Sequence, residues 1–207
     1  MFRVLGEGWR AVVLGAAVMF IAACGNTSTP PSTPAFASTD ITGVQFGKGF
    51  TLIDHNGVVR SLSDFRGKAV ALFFGYTHCP DKCPATMAQV AAALEKLGPA
   101  AGRVQVLFVT LDPERDTPSV LKQYLSGFNP RFLGLYGDDE TTQETASQFK
   151  VFSQRQGAES SGDHTVDHST GVYIFDPQGQ LRLYANAISD GGDALARDLA
   201  QLLKAAA

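Results

Sequence analysis

The stretch AVALFFGYTHCPDKCP, residues 69–84, decides the fold predicted for this chain. Its first six residues form a continuous apolar run of strand length, which is typical of a central strand covered on both faces. The run leads directly into a loop that carries Cys79 and Cys83, and apolar residues at helical spacing follow Pro84. The stretch therefore predicts a buried strand, a cysteine loop and a helix in succession.

The segments on either side predict a mixed α/β domain. A hairpin is indicated by Asn56-Gly57 between two short apolar runs. The other predicted elements are a strand at 104–111, a helix from 117, a short strand at 132–136, a helix at 141–149, a polar loop at 154–165, an antiparallel pair at 172–175 and 181–187, and a helix at 193–203. This order predicts an α/β fold with a mixed sheet. Cysteines at a strand-to-helix junction favour the thioredoxin-like version of this fold. It would have an added N-terminal β-hairpin and a late β-hairpin carrying the loop that contains His168.

The first residues have the pattern of a targeting segment. Arg3 and Arg10 precede an uncharged apolar run of thirteen residues, 11–23, which is shorter than the roughly 20 residues of a membrane-spanning helix. The run ends IAACG at 21–25, so residues 1–23 are predicted to be a lipoprotein signal peptide and Cys24 to be lipidated. A short uncleaved anchor and an ordinary signal peptide are the alternatives.

The residues after Cys24 divide into two regions. Residues 24–44 are rich in Ser, Thr and Pro and are predicted to form a flexible tether. Residues 45–207 have the size of one domain. The net charge of -3 and the absence of a basic run argue against a nucleic-acid partner.

From the signal peptide and the lipidated Cys24 we expect a protein of the bacterial cell envelope, lipid-anchored to a membrane and facing the periplasm, which is an oxidising compartment.

Cys79 and Cys83 are four residues apart, a spacing that permits either a disulfide or a shared soft metal ion. Their place at the start of a helix, next to Lys82, predicts lowered thiol pKa values. Two thiolates favour Cu(I) or zinc over hard cations. A single added imidazole would suit three-coordinate Cu(I) but would leave a structural zinc one ligand short.

The histidine that would complete such a site cannot be chosen from spacing alone. His168 lies 85 residues after Cys83, and His164 is an equal candidate; both are more often ordinary hydrogen-bonding residues. His55 and His78 are weaker candidates. Residues 131–176 contain no proline, which argues against a plain thioredoxin-like oxidoreductase, since those enzymes place a cis-proline opposite the cysteines.

Three motifs together resemble those of the Sco/SenC copper proteins, which are needed to assemble the binuclear copper centre of cytochrome c oxidase. They are FGYTHCPDKCP at 74–84, DPERDTP at 112–118, and VDHS at 166–169 followed by YIFDP at 173–177. The resemblance implies a thioredoxin-like fold and a site in which Cys79, Cys83 and His168 bind Cu(I) or Cu(II). Lys82 departs from the family pattern, where an apolar residue is usual. Its charge is expected to disfavour Cu(II) without abolishing copper binding.

The resemblance implies a copper metallochaperone, rather than an enzyme, that binds one copper ion. Its expected partner is the copper-receiving subunit of cytochrome c oxidase; the copper donor and the thiol reductant are not indicated. One alternative is a thiol-disulfide reductase that uses Cys79 and Cys83 as a redox pair on the cysteines of the oxidase copper site. A copper or redox sensor is another. A peroxidase is disfavoured, because Thr77 and Cys79 are one residue too close for a Thr-x-x-Cys motif.

Several further residues have two interpretations each. The charged residues of 112–116 either support the site as an ion-paired loop or cap the following helix. Asp167 either orients His168 or is a solvated carboxylate. Tyr76 and Phe128 either are exposed for partner docking or belong to the core.

Overall fold

The predicted central strand is buried over its whole length and lies in the middle of an eight-stranded sheet. A computed structural model describes residues 35–157, 164–186 and 189–206. In chain order the strands are β1 (Thr39–Asp40), β2 (Thr51–Asp54), β3 (Val59–Ser61), β4 (Ala69–Gly75), β5 (Val104–Thr110), β6 (Leu133–Tyr136), β7 (Ser153–Gln156), β8 (Thr165–His168), β9 (Val172–Phe175) and β10 (Leu181–Ala185). The sheet has the order β1-β10-β9-β4-β5-β6-β2-β3. Only β4–β5 and β5–β6 are parallel pairs in it, so the sheet is mixed, as predicted.

Four α-helices accompany the sheet: α1 (Lys82–Leu97), α2 (Pro118–Ser126), α3 (Asp139–Gln148) and α4 (Asp193–Ala205). Helices α1 and α4 contact each other, α4 also contacts β4, and α2 packs on β6. Short 3₁₀ turns follow β3 and α1, at Leu62–Phe65 and Gly98–Arg103. Apolar side chains from all these layers form one core, in which six phenylalanines are almost fully buried: Phe73, Phe74, Phe108, Phe132, Phe149 and Phe175.

The predicted N-terminal hairpin is confirmed as the antiparallel pair β2–β3. Its turn is held by Asp54, whose Oδ1 accepts hydrogen bonds from the backbone of Asn56 and Val58. Gly57 has φ +83°, a left-handed conformation that glycine adopts without steric cost. The late hairpin is confirmed as β9–β10.

The polar segment before His168 was predicted to be a loop, and this prediction is wrong at both ends. Residues Ser153–Gln156 and Thr165–His168 pair antiparallel as β7 and β8, with Ser153 opposite His168. They form a separate two-stranded ribbon, so His168 ends a strand of its own and is not carried on the β9–β10 hairpin. The polar sequence hid this ribbon, because Val166 is its only buried apolar side chain among the described residues.

The compact unit begins at Phe36, earlier than the boundary at residue 45 predicted from composition. The backbone N–H groups of Ala37 and Ser38 donate to the buried carboxylate of Asp198, each at 2.8 Å. Strand β1 then pairs with β10. Residues 36–44, assigned to the tether from their composition, thus belong to this unit. The predicted signal peptide, Cys24 and the first part of the tether lie outside the described residues.

Within the part of the chain that the structure describes, no helix combines the length and the apolar character needed to cross a bilayer.

Candidate metal centre

Two loops of the site leave the sheet at the same edge. Strands β4 and β5 are parallel neighbours, with Gly75 opposite Thr110 at their carboxyl ends. The cysteine loop follows β4, and the loop of residues 112–116 follows β5. Carboxyl ends of parallel strands meet at one edge, which is where α/β folds commonly place their functional groups. The fold therefore brings the cysteine loop and the charged loop of residues 112–116 side by side.

Cys79, Cys83 and His168 come together at this edge, and each offers one donor atom. All three donor atoms lie within 4.8 Å of one another. The Cys83 Sγ is 3.3 Å from the His168 Nε2, and both cysteines are free thiols. The backbone N–H of Cys83, in the first turn of α1, donates to the Cys79 Sγ at 3.4 Å. The spacing of four residues thus places both sulfurs on the same side of the start of the helix.

The orientation of His168 leaves one ring nitrogen available to a metal. Its Nδ1 lies 2.9 Å from the Ser169 carbonyl oxygen, which only accepts, so Nδ1–H is the donor and Nε2 carries the lone pair. Phe73 and Tyr76 contact the imidazole edge-on, with ring centroids 6.1 and 5.9 Å away. Burial lowers the pKa of His168, which favours the neutral imidazole that binds metals.

The two sulfurs differ in their access to solvent. Cys79 is half-buried, whereas Cys83 is fully buried. Burial raises the pKa of Cys83 far above its ordinary value, although a hydrogen bond from the Tyr76 backbone opposes the shift. The lowered thiol pKa predicted from the helix start and from Lys82 is therefore wrong for Cys83. The Lys82 side chain is 73% exposed and lies 3.8 Å from the carboxylate of Asp81.

Space around the Cys83 sulfur is limited by the end of β4. A Cβ on Gly75 would lie 2.8 Å from the Cys83 Sγ and 2.7 Å from the Phe73 ring. Glycine at this position therefore lets the strand pass directly beneath the sulfur.

Asp116 holds the cysteine loop in place. Its fully buried carboxylate accepts hydrogen bonds from the Thr77 backbone at 3.0 Å, from the Thr77 hydroxyl at 2.5 Å and from the Thr110 hydroxyl at 2.6 Å. Helix α2 is capped instead by the Thr117 hydroxyl, which accepts from the Val120 N–H. Of the two interpretations of residues 112–116, these hydrogen bonds favour support of the cysteine loop over capping of the helix, and the sequence did not indicate the two threonines that take part.

The other three described histidines lie outside the donor cluster, and Tyr76 belongs to the core. The His164 Nε2 lies 3.1 Å from the Asp112 carboxylate, outside the donor cluster. The His55 Nδ1 accepts a hydrogen bond from the Gly134 N–H, and His78 is about half exposed beside Asp116. Tyr76 is buried, so its proposed exposure for docking is wrong.

Phe128 and Asp167 were each given two interpretations from the sequence, and the structure shows the position of both. Phe128 is half-buried and stacks edge-on with Tyr124. Asp167 is exposed, and the His168 ring is oriented by the hydrogen bond that its Nδ1–H donates to the Ser169 carbonyl. A carbonyl acceptor of this kind leaves no signal in the sequence.

The fold and the site together define a thioredoxin-like protein with a two-thiol, one-imidazole centre. The chain belongs to the SCO1/SenC family, whose family model matches residues 38–204. It is 40% identical over 141 residues to the mitochondrial SCO2 homolog of Bos taurus, covering 67% of this chain and 53% of that protein. The match spans about half the length of the vertebrate SCO2 homologs.

Solved structures agree with this assignment. Apo Sco1 of Thermus thermophilus has a TM-score of 0.71 at 37% identity, covering 84% of this chain and 98% of that chain. Copper-bound ScoI of Bradyrhizobium japonicum has a TM-score of 0.68 at 35% identity, covering 74% and 97%. The predicted thioredoxin-like fold and the predicted family are therefore confirmed.

The donor set fits a soft, low-coordinate metal ion. Thiolate and imidazole donors lie at about 2.0–2.3 Å from a bound zinc ion. The three donor atoms, all within 4.8 Å of one another, therefore need to move only slightly to share one ion. Two sulfurs and one nitrogen suit Cu(I), and a structural zinc site would need a fourth ligand.

Proposed function

We propose that this protein is a copper metallochaperone that binds one Cu(I) or Cu(II) ion through Cys79, Cys83 and His168. The single observation that carries the proposal is the convergence of these three donor atoms within 4.8 Å. The Sco proteins of Bradyrhizobium japonicum and Arabidopsis thaliana, described with copper bound, support copper as the metal. Copper is the cargo of this protein, which has no need to retain it as a cofactor.

We further propose that the protein delivers this copper to the binuclear copper centre of cytochrome c oxidase, or prepares that centre to receive copper. Sco proteins are cytochrome c oxidase assembly proteins, which makes the copper-receiving subunit of the oxidase the expected partner. Delivery would proceed by ligand exchange, in which thiolates of the acceptor replace Cys79, Cys83 and His168 one at a time. The half-buried Cys79 is the sulfur that an acceptor can approach.

The chain's place in the cell is proposed from residues outside the described part. Residues 1–23 would be removed as a lipoprotein signal peptide, and Cys24 would then hold the domain to a membrane of the bacterial envelope, facing the periplasm. Labelling cells with a radioactive fatty acid tests this proposal. Label that remains on Cys24→Ala would contradict it.

The unequal burial of the two cysteines favours a second candidate function, a thiol-disulfide reductase. Such an enzyme needs an accessible thiolate that attacks the target disulfide and a neighbouring thiol that resolves the mixed disulfide. Cys79 and Cys83 have this arrangement. The reductase would not need His168 as a metal ligand, whereas the chaperone would.

The experiment that tests the proposal is an anaerobic Cu(I) titration of the reduced full-length chain in detergent, against a competing chelator. Wild type is compared with His168→Ala and with the control His78→Ala, which removes an exposed imidazole next to Cys79. We expect tight one-to-one binding in the wild type and the control, and a large loss of affinity in His168→Ala. Equal affinity in all three proteins would contradict the three-ligand site and favour the reductase.

A further inference from the structure

The strand that carries His168 lies outside the main sheet. Strands β7 and β8 pair only with each other in the described part of the chain, over four residues each. An isolated two-stranded hairpin is at best marginally stable in water. The position of the His168 imidazole relative to the cysteines therefore depends on what attaches this ribbon to the rest of the domain.

Side chains from both sides of the ribbon reach the loop of residues 112–116. Arg155 on β7 lies 3.4 Å from Glu114, 3.2 Å from Asp139 and 3.8 Å from Asp112. His164, immediately before β8, places its Nε2 3.1 Å from the Asp112 Oδ1. A carboxylate can only accept, so the imidazole donates this hydrogen bond.

These contacts differ in how much they contribute to the stability of the attachment. Glu114 and Asp139 are about 70% exposed, and exposed ion pairs contribute little to stability. The His164 side chain is 9% exposed and the Asp112 carboxylate is fully buried. Asp112 also pairs with Arg115 in its own loop through Oδ2. Without His164, however, its Oδ1 keeps only the 3.8 Å contact with Arg155 among the described residues, which is costly for a buried carboxylate. The hydrogen bond between His164 and Asp112 is therefore the main polar attachment, and Arg155 assists it.

The loop that receives the ribbon also holds the cysteines. Asp116, four residues after Asp112, accepts hydrogen bonds from the backbone and the hydroxyl of Thr77 in the cysteine loop. One short loop therefore contacts both sources of donor atoms. The ribbon has a second, apolar anchor, because the Val166 side chain is buried in the core.

We propose that His164 and Arg155 are positioning residues that fix the β7–β8 ribbon on the 112–116 loop and so hold His168 against the cysteine pair. The proposal rests on the function proposed above, in which His168 is a copper ligand. It assigns His164 a role distinct from that of the ligand: its imidazole binds Asp112, and its loss loosens the ribbon while all three donors remain in the chain.

The first test uses the reduced, metal-free full-length chain in detergent. Amide hydrogen exchange is compared between the wild type, His164→Ala/Arg155→Gln and the control Arg60→Gln, which removes a partner from the equally buried carboxylate of Asp54 at the far edge of the sheet. We expect faster exchange of the β7 and β8 amides in the double variant alone, with β4 and β5 unchanged. Wild-type exchange in the ribbon would overturn the proposal.

The second test measures Cu(I) affinity by chelator competition. A group that hydrogen-bonds a metal ligand directly contributes about 10- to 100-fold in affinity. Because His164 and Arg155 act only through the ribbon, we expect the double variant to lose no more than about 10-fold, which is less than the loss in His168→Ala. His164→Gln retains an N–H donor and should restore most of the loss seen in His164→Ala. If His168→Ala itself binds normally, the proposed function fails. If His168→Ala fails to bind and the double variant binds as the wild type does, only the positioning role fails.

One further result would also overturn the positioning role. If His164→Ala abolished Cu(I) binding as completely as His168→Ala and left ribbon exchange unchanged, His164 would be acting as a ligand.

Discussion

Replacing Gly75 with alanine should damage the site through packing alone. The new Cβ would lie 2.8 Å from the Cys83 Sγ, 2.7 Å from the Phe73 ring and 3.2 Å from the Phe108 ring. Ordinary contact begins at 3.4 Å, so the sulfur or the strand must move by 0.6 Å. Strand β4 is paired on both sides, with β5 and β9, which restricts its movement. The Cys83 sulfur is therefore expected to give way and to leave its 3.3 Å contact with His168.

Overpacking of this kind costs about 1–3 kcal/mol. For a chain of this length each kcal/mol lowers the Tm by about 2–4 °C. We expect a lower Tm of the reduced, metal-free Gly75→Ala protein by thermal unfolding, and a weaker Cu(I) affinity by chelator competition. Gly49→Ala is the control, because nothing lies within 4 Å of its Cβ position. A Gly75→Ala protein with the Tm and affinity of the wild type would refute the packing argument.

Two further predictions concern protons and loop support. Because burial raises the pKa of Cys83, its thiol is protonated at neutral pH and metal binding must release that proton; the Cu(I) affinity should therefore rise by about tenfold per pH unit for each thiol proton released. Chelator competition at several pH values measures this slope, and a flat profile would show that Cys83 is already a thiolate. Asp116→Ala would remove the acceptors of the Thr77 N–H, the Thr77 hydroxyl and the Thr110 hydroxyl, and leaving the Thr77 backbone donor unpaired should cost about 1–3 kcal/mol. Urea unfolding measures that cost, and unchanged stability would contradict the role of Asp116.

The central strand and the cysteine loop could be predicted because their signals are local. The apolar run that ends at Phe74 is long enough for one buried strand, and Cys79 and Cys83 follow it directly. His168 is different, because 85 residues separate it from Cys83 and only the folded chain brings them together. Spacing left His164 and His168 equal, and family resemblance selected His168 before the structure placed its Nε2 beside the sulfur.

The β7–β8 ribbon could not be predicted for a physical reason. Ser153–Gln156 is wholly polar, so it lacks the alternation that marks a half-buried strand. Its attachment comes from Arg155 and from His164, whose partners in the 112–116 loop lie 41 and 52 residues earlier in the chain. Contacts of this kind exist only in the folded state.

The raised pKa of Cys83 was missed because a local rule competed with a tertiary effect. The start of a helix and a neighbouring lysine both favour a thiolate. The Lys82 ammonium, however, lies at the surface beside Asp81, while the Cys83 sulfur, in the first turn of α1, is fully buried against Gly75. Desolvation therefore outweighs the nearby positive charge.

The unequal burial of the two sulfurs links the two candidate functions. An acceptor thiolate that takes copper, and a target disulfide that is to be reduced, must both meet the half-buried Cys79 before the buried Cys83. The two reactions then diverge at Cys83, which either shares copper with His168 or resolves a mixed disulfide. A protein with one half-buried and one fully buried thiol can begin both reactions in the same way. The imidazole 3.3 Å from the Cys83 sulfur would be a ligand in copper binding but only a base for the Cys83 proton in disulfide reduction. The Cu(I) titration of His168→Ala therefore tests the copper function, which the two thiols alone do not distinguish from the reductase.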